Sequence, residues 1–296
     1  MAVITRLPCQ RPRHTALTAA ALPWPFTRAR AFEPSLQGSA VPIAGLEREI
    51  VVEIASTRLH WDAALRLVQQ NYEAHGYAPP GSGTYRFTSH HALPKTAVLI
   101  ARENDRILAT MSLYLDSAAL QLPSDAIFGA ELDNLRRGGR RLSEGGNLAD
   151  DGLRQREFLP VFVALSRLAW QYGISQGVDT VVVTSLPKHG VFYRRAMGYM
   201  PLGAPRTYSF VEGAMAQAYW LDVPHLKSAA PAMHQRLLGT PLPAETLAPR
   251  PIPVELVRYF GSRSSLKNAR QAERVVESAE PRGASRRWHA FAAACS

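Results

Sequence analysis

The sequence predicts a mixed α/β domain, and three stretches carry that prediction. Thr96 to Ala101 and Ile107 to Leu115 are apolar runs joined by Glu103-Asn104-Asp105-Arg106, a polar turn that reads as an antiparallel hairpin. Phe158, Phe162, Leu165, Ala169 and Tyr172 recur at intervals of three or four, the spacing that lines one face of a helix. Asp179 to Thr184 follows as a continuous β-branched run, the pattern of a strand buried on both faces.

The remaining elements fall around these three. Ile50 to Ile54 reads as a short strand, after which Ser56 or Thr57 caps a helix with apolar positions at Leu59, Ala63, Leu67 and Tyr72. A loop rich in Gly and Pro spans Ala78 to Gly83. Ser124 is expected to cap a helix running through Leu135 to Gly138-Gly139, and Arg140 to Ala149 reads as a polar strand. Gly177 closes the long helix, a short helix runs from Gly190 to Met197, and Ala214 to Asp222 alternates as a last strand. The predicted order is βα, hairpin, α, βα, βα, β. It occupies residues 47–223, between a proline-rich basic arm (1–46), a partly helical appendage or linker (224–262) and a basic tail (263–296). Helical patterns recur at Val254 to Phe260 and Leu266 to Val276.

Composition narrows the function. With 296 residues and 46% hydrophobic content the chain is long enough for a sizeable core. No stretch approaches the roughly 20 uninterrupted apolar residues of a spanning helix: Thr15 to Phe26 is broken by Pro23 and Pro25, and the run from Phe158 contains Arg167. The net charge of +10 lies mostly at the ends, five Arg against Glu33 before residue 46 and seven Lys or Arg against three Glu after residue 260. Without aromatics interleaved among the basic residues, this does not make a nucleic-acid platform. The two cysteines, Cys9 and Cys295, make no disulfide framework and no zinc-site spacing is present, which points to a reducing cytosol and to no metal. The first 32 residues lack acidic side chains and carry five Arg, as targeting peptides do, but their apolar part is short and proline-broken, so a disordered leader or a start codon placed too early is expected.

Four pieces carry a family likeness: Tyr-Arg-Phe-Thr-Ser-His-His-Ala-Leu-Pro from Tyr85, Ala-Thr-Met-Ser-Leu-Tyr-Leu-Asp-Ser from Ala109, Gly-Arg-Arg-Leu-Ser-Glu from Gly139, and Pro-Lys-His-Gly-Val-Phe-Tyr-Arg-Arg-Ala-Met-Gly-Tyr from Pro187. In this order and at these separations the chain from Tyr85 to Asp222 resembles the FeeM-type long-chain N-acyl amino acid synthases. These are relatives of the acyl-homoserine-lactone autoinducer synthases within the GNAT superfamily. The sequence departs from the family after Glu144, where Gly145, Gly146 and Asn147 replace a β-branched and a small hydroxyl residue.

The resemblance implies a GNAT fold with two splayed central strands and transfer of a fatty acyl group from the phosphopantetheine of acyl carrier protein to an amino acid. No tightly bound cofactor is implied, and acyl-coenzyme A is the alternative donor. It places Glu144 where a carboxylate readies the amine, and Tyr193 where a phenol reprotonates the leaving thiolate. The donor arm is expected against Gly145, Gly146, Asn147 and Leu148, since glycine inside a strand often marks a bulge or a closely approaching ligand. A plain loop is the alternative. Arg154 and Arg156, at the start of the long helix where coenzyme A users carry a glycine-rich loop, are expected to meet the single phosphate of a carrier protein or else to face solvent. Arg86, His90 and His189 are candidates for the acceptor, an arginine fork suiting a carboxylate. Arg136, Arg137, Arg140, Arg141, Lys188, Arg194 and Arg195 are candidates for docking an acidic carrier protein. Contact with a membrane surface would come only through the lipid product. Rival readings are an autoinducer synthase using S-adenosylmethionine, an acetyl-coenzyme A acetyltransferase and a non-catalytic acyl or carrier-protein binder.

Overall fold

The computed structural model describes residues 40–264. Of the arm expected over 1–46, residues 1–39 lie outside them, as does the helical pattern at Leu266 to Val276, whereas Val41–Pro42 of the arm pairs as a strand with Val51 and Val52. The elements in order are β1 (Val41–Pro42), β2 (Val51–Ile54), α1 (Arg58–Ala74), β3 (Ala97–Glu103), β4 (Arg106–Leu115), α2 (Asp125–Arg137), β5 (Leu142–Asp150), α3 (Gln155–Ser175), β6 (Thr180–Ser185), α4 (Gly190–Ala196), β7 (Met200–Tyr208), β8 (Ala214–Asp222), α5 (Val223–Ala229), α6 (Pro231–Leu238) and α7 (Val254–Gly261). The strands form one sheet in the order β1-β2-β3-β4-β5-β6-β8-β7. Only β5 and β6 run parallel.

Apolar residues pointing to opposite faces of the strands divide the core. One face packs on α3, whose Phe162, Leu165, Leu168 and Tyr172 meet Ala97, Leu99, Leu113, Val181 and Val183. The other face is shared by α1, packed on Val98 and Ile100, and by α2, whose Phe128 and Leu132 meet Leu142 and Val182. The β3–β4 hairpin turns at Asn104, which takes φ +51, a conformation asparagine adopts more readily than most residues. Among the described residues no helix is long and apolar enough to cross a membrane.

Several local expectations are corrected by tertiary contacts. Thr57 caps α1 by accepting from the His60 N–H at 3.2 Å, and of the expected positions Leu67 is buried, but the face turned inward also carries Trp61, Leu65 and Val68. Leu59 is 78% exposed, because the helix turns its indole inward. Ser124 does not cap α2; its hydroxyl points across to β5. An additional strand, β7, runs through Pro201, Gly203 and Pro205. It lies at the sheet edge, where proline costs no interior hydrogen bond, and its register with β8 shifts between Leu202 and Arg206 around Gly203 at φ +68.

Beyond residue 223 the chain continues into the same cores. Asp222 caps α5 by accepting from the His225 N–H at 2.8 Å, and Leu226 and Leu237 are wholly buried in the α3 cluster. Phe260 of α7 is equally buried beside Tyr85 and Phe87.

The feature that opens the sheet is the register of its parallel pair. β5 and β6 are matched from Leu142 with Thr180 to Gly145 with Val183 and no further, although both strands continue. Past Gly145, β5 stays with β4 alone and bulges: Ala149 faces Thr110 and Gly146 faces Ser112, so Asn147 and Leu148 share the place opposite Met111. The left-handed residue of the bulge is Asn147 at φ +52, not one of the glycines expected there.

Candidate active site

Glu144 stands on β5 one residue before the strands part, directly across from Tyr114 on β4. It is 5% exposed, and one carboxylate oxygen accepts from both the backbone N–H of Ser124 at 2.9 Å and its hydroxyl at 2.7 Å. Burial pushes its carboxyl up to about 7, and the two Ser124 hydrogen bonds pull the other way. A carboxylate that changes state near neutrality is suited to take a proton from an ammonium group.

On the same face lies a buried polar cluster. The Asn147 amide donates to the Tyr114 hydroxyl at 2.8 Å, and that hydroxyl is 3.1 Å from Nε2 of His91. The Thr88 N–H donates to His91 Nδ1 at 3.0 Å, which assigns the ring proton to Nε2. Burial drives His91 down to about 3, so it is neutral here. His90 is half-buried, its ring edge-on to Tyr114, with Nε2 lacking a hydrogen-bond partner.

Arg86 closes the cluster. It is 1% exposed, donates to the Phe210 carbonyl at 2.5 Å, and lies over the rings of Tyr72 and Phe210 with its Nε unpartnered. Among the described residues it has no carboxylate partner within salt-bridge distance. Tyr72 and Tyr208 lie within the electrostatic reach of both Arg86 and Glu144. The arrangement thus sets a buried cation and a titratable carboxylate around shared tyrosines.

Tyr193 belongs to the opposite face. It stacks on Tyr219 at 5.8 Å and meets Tyr199 and Phe192 edge-on, against the α3 core. Burial pushes its phenol up to about 12, so it holds its proton at neutral pH. Glu144 and Tyr193 therefore flank the sheet from its two sides.

A family profile described as the N-acyl amino acid synthase FeeM matches residues 63–222, more than half of the chain. This chain belongs to the FeeM family of N-acyl amino acid synthases. A solved structure of FeeM from uncultured soil microbes is 29% identical, with a TM-score of 0.54 over 62% of this chain and 97% of that one. A coenzyme A-dependent acyl-homoserine lactone synthase, BjaI, is 16% identical with a TM-score of 0.43, over 64% of this chain and 91% of that one. The autoinducer synthase LasI is 13% identical at 0.45, over 66% and 98%. No curated protein matches. Family membership makes the chain an N-acyltransferase by class, and leaves donor and acceptor to be argued.

Within this FeeM-family chain the other expected residues divide. At Gly145 and Gly146 an added Cβ would meet Val183 at 3.5 Å and the Tyr114 ring at 3.4 Å, ordinary van der Waals contact, so packing alone does not demand glycine there. Asn147 turns its amide into the Tyr114 cluster, while Leu148 packs on the α3 side. Arg154 and Arg156 are exposed at the start of α3, both near the Glu47 carboxylate, at 3.7 and 2.5 Å. His189 sits exposed on the turn before α4 and shares no hydrogen bond with the Arg86 cluster.

The basic run before β5 is largely spent on the chain's own carboxylates. Arg136 is held by Asp116, Asp125 and Asp133, Arg140 by Asp222 at 2.8 Å and Arg141 by Asp179 at 3.2 Å, while Arg137 bonds to Asn134. Lys188, Arg194 and Arg195 are exposed around α4 without a salt bridge among the described residues. Sequence reasoning pairs His91 with His90 as a proton carrier near neutrality, which the burial of His91 corrects, and it misses Ser124, Tyr114 and Tyr72 as site residues. Tyr114 alone left a readable signal, falling on the same face as Ser112 in the alternation of β4 and next to β5.

Proposed function

We propose that this chain transfers a long-chain fatty acyl group from the phosphopantetheine thioester of acyl carrier protein to the α-amino group of an amino acid. The observation that carries the acceptor is Arg86. A buried guanidinium without a carboxylate is costly in a folded protein, and the α-carboxylate of an amino acid would supply the missing partner through a charge-assisted hydrogen bond. Its amino group would then lie toward Glu144 on the same face.

Glu144 takes a proton from the ammonium group, and the free amine attacks the thioester carbonyl. As the carbon–nitrogen bond forms and the carbon–sulfur bond breaks, Tyr193 gives its proton to the departing thiolate; of the two protons nitrogen loses, one restores the Tyr193 phenol through water and the other passes to solvent, returning Glu144 to its ionised form. Gly145 and Gly146 leave the strand edge without side chains where the pantetheine arm would lie. Two features favour a carrier protein over coenzyme A. The start of α3 carries Asp150-Asp151-Gly152-Leu153-Arg154-Gln155-Arg156, with one glycine and two exposed arginines for one phosphate. The uncompensated Lys188, Arg194 and Arg195 suit an acidic partner.

The test is product mass spectrometry of the purified chain incubated with acyl carrier protein or coenzyme A thioesters and an amino acid mixture, with S-adenosylmethionine in a separate arm. N-acyl amino acids formed from the carrier-protein thioester are the expected result. Lactone formed only with S-adenosylmethionine would overturn the reading, and turnover only with coenzyme A would overturn its donor.

A further inference from the structure

A cavity lies on the α3 face, at the far end of the sheet from the candidate active site. It holds about 370 Å³ between the β1–β2 edge and α3, floored by Ile43, Val52, Leu159, Val163, Ala164 and Leu242. That volume falls at the low end of small-molecule sites, roughly 300–1,000 Å³. Val52 is three strands away from β5, about 14 Å at the usual strand spacing, and belongs to the face opposite Glu144.

Two arginines line the apolar floor. Arg167 spends one nitrogen on the Thr240 carbonyl at 2.9 Å and leaves a buried Nε without a partner. Arg236 is exposed beside it on α6. Neither has a carboxylate within salt-bridge distance among the described residues, whereas Arg48, Arg102, Arg136, Arg140 and Arg206 each have one. An apolar trough favours a hydrocarbon tail, and two uncompensated guanidinium groups at its wall favour a negative head.

We infer that this cavity binds a single-chain amphiphile with an anionic head, its tail along Val52 and Val163 and its head on Arg167 and Arg236. The inference rests on this cavity's own lining and not on the acceptor assigned above. A free fatty carboxylate and an N-acylated amino acid offer the same tail and charge. Decanoate and N-decanoylglycine are therefore titrated separately into the full-length chain by calorimetry, below their micelle concentrations, with decyltrimethylammonium as the cationic control.

Saturable binding of at least one anionic ligand is expected, with at least tenfold weaker binding of the cation. The paired substitution Arg167→Gln/Arg236→Gln should weaken the anion at least tenfold, and Ala164→Trp, which fills the trough, should abolish binding. Absence of binding to the parent, equal affinity for both head charges, or binding unchanged in the arginine pair would overturn the inference. So would unchanged binding in a folded Ala164→Trp variant. The arginine pair decides if that variant does not fold. Which anion binds more tightly tells a fatty acid site from a product site.

Discussion

Glu144 is asked to do two opposed things by the same burial. Its folded value near 7 lies above the ordinary carboxylate value of 4.5, so its contribution to stability is fully present below about pH 4.5 and is lost as pH rises through 7. A shift of that size corresponds to about 3 kcal/mol at the usual conversion of 1.36 kcal/mol per unit. Denaturant titrations at pH 4.5 and 8 should show that loss in the parent and not in Glu144→Gln. Catalysis runs the other way: kcat/KM should rise with pH through about 7, and Glu144→Gln should lower it on the order of 100-fold. Removing the Ser124 hydroxyl takes away a bond that favours the ionised form, so Ser124→Ala should move the rate profile to higher pH. For Arg86, Arg86→Gln should raise KM for an amino acid by roughly 10- to 100-fold, the scale of a lost charged hydrogen bond. Steady-state kinetics with an acceptor amine lacking the carboxylate should show no such difference.

The elements around the gap show how closely chemistry and packing are joined. Gly190 opens α4 at a point where an added Cβ would overlap the hydroxyl of Tyr219, the ring on which Tyr193 stacks. Gly190→Ala should cost about 1–3 kcal/mol as an overpacked core does, and should lower kcat more than it raises KM, since it displaces the phenol rather than the acceptor cluster. Thermal melting and steady-state kinetics on one preparation check both. The hairpin, α3 and β6 are legible in sequence because turn chemistry and periodicity repeat within a few residues. β7 is not, because Pro201, Gly203 and Pro205 are tolerated there only by virtue of its place at the edge.

Over the whole molecule, residues 224–264 contribute to the core and bear on the site. Phe260 packs on Tyr85 and Phe87, and the Ser264 hydroxyl donates to the Phe87 carbonyl at 2.7 Å, on either side of Arg86 in sequence. Phe260→Ala should cost about 3–5 kcal/mol, the range for emptying a buried aromatic site. It should also raise KM for the acceptor, because the segment holding Arg86 loses its backing. Chemical denaturation and acceptor titration would register the two effects.

That Glu144 lies on a strand and Tyr193 on a short helix could be read from the chain alone, since motif and periodicity are local properties. Their surroundings could not. Ser124 reaches Glu144 across 20 residues and Arg86 reaches Phe210 across 124, and the basic run at Arg136 to Arg141 meets acids on other elements. Only closure of the fold brings such partners together. It thereby decides which face of α1 is buried, which charges remain free, and that a carboxylate near the parting strands titrates close to neutrality.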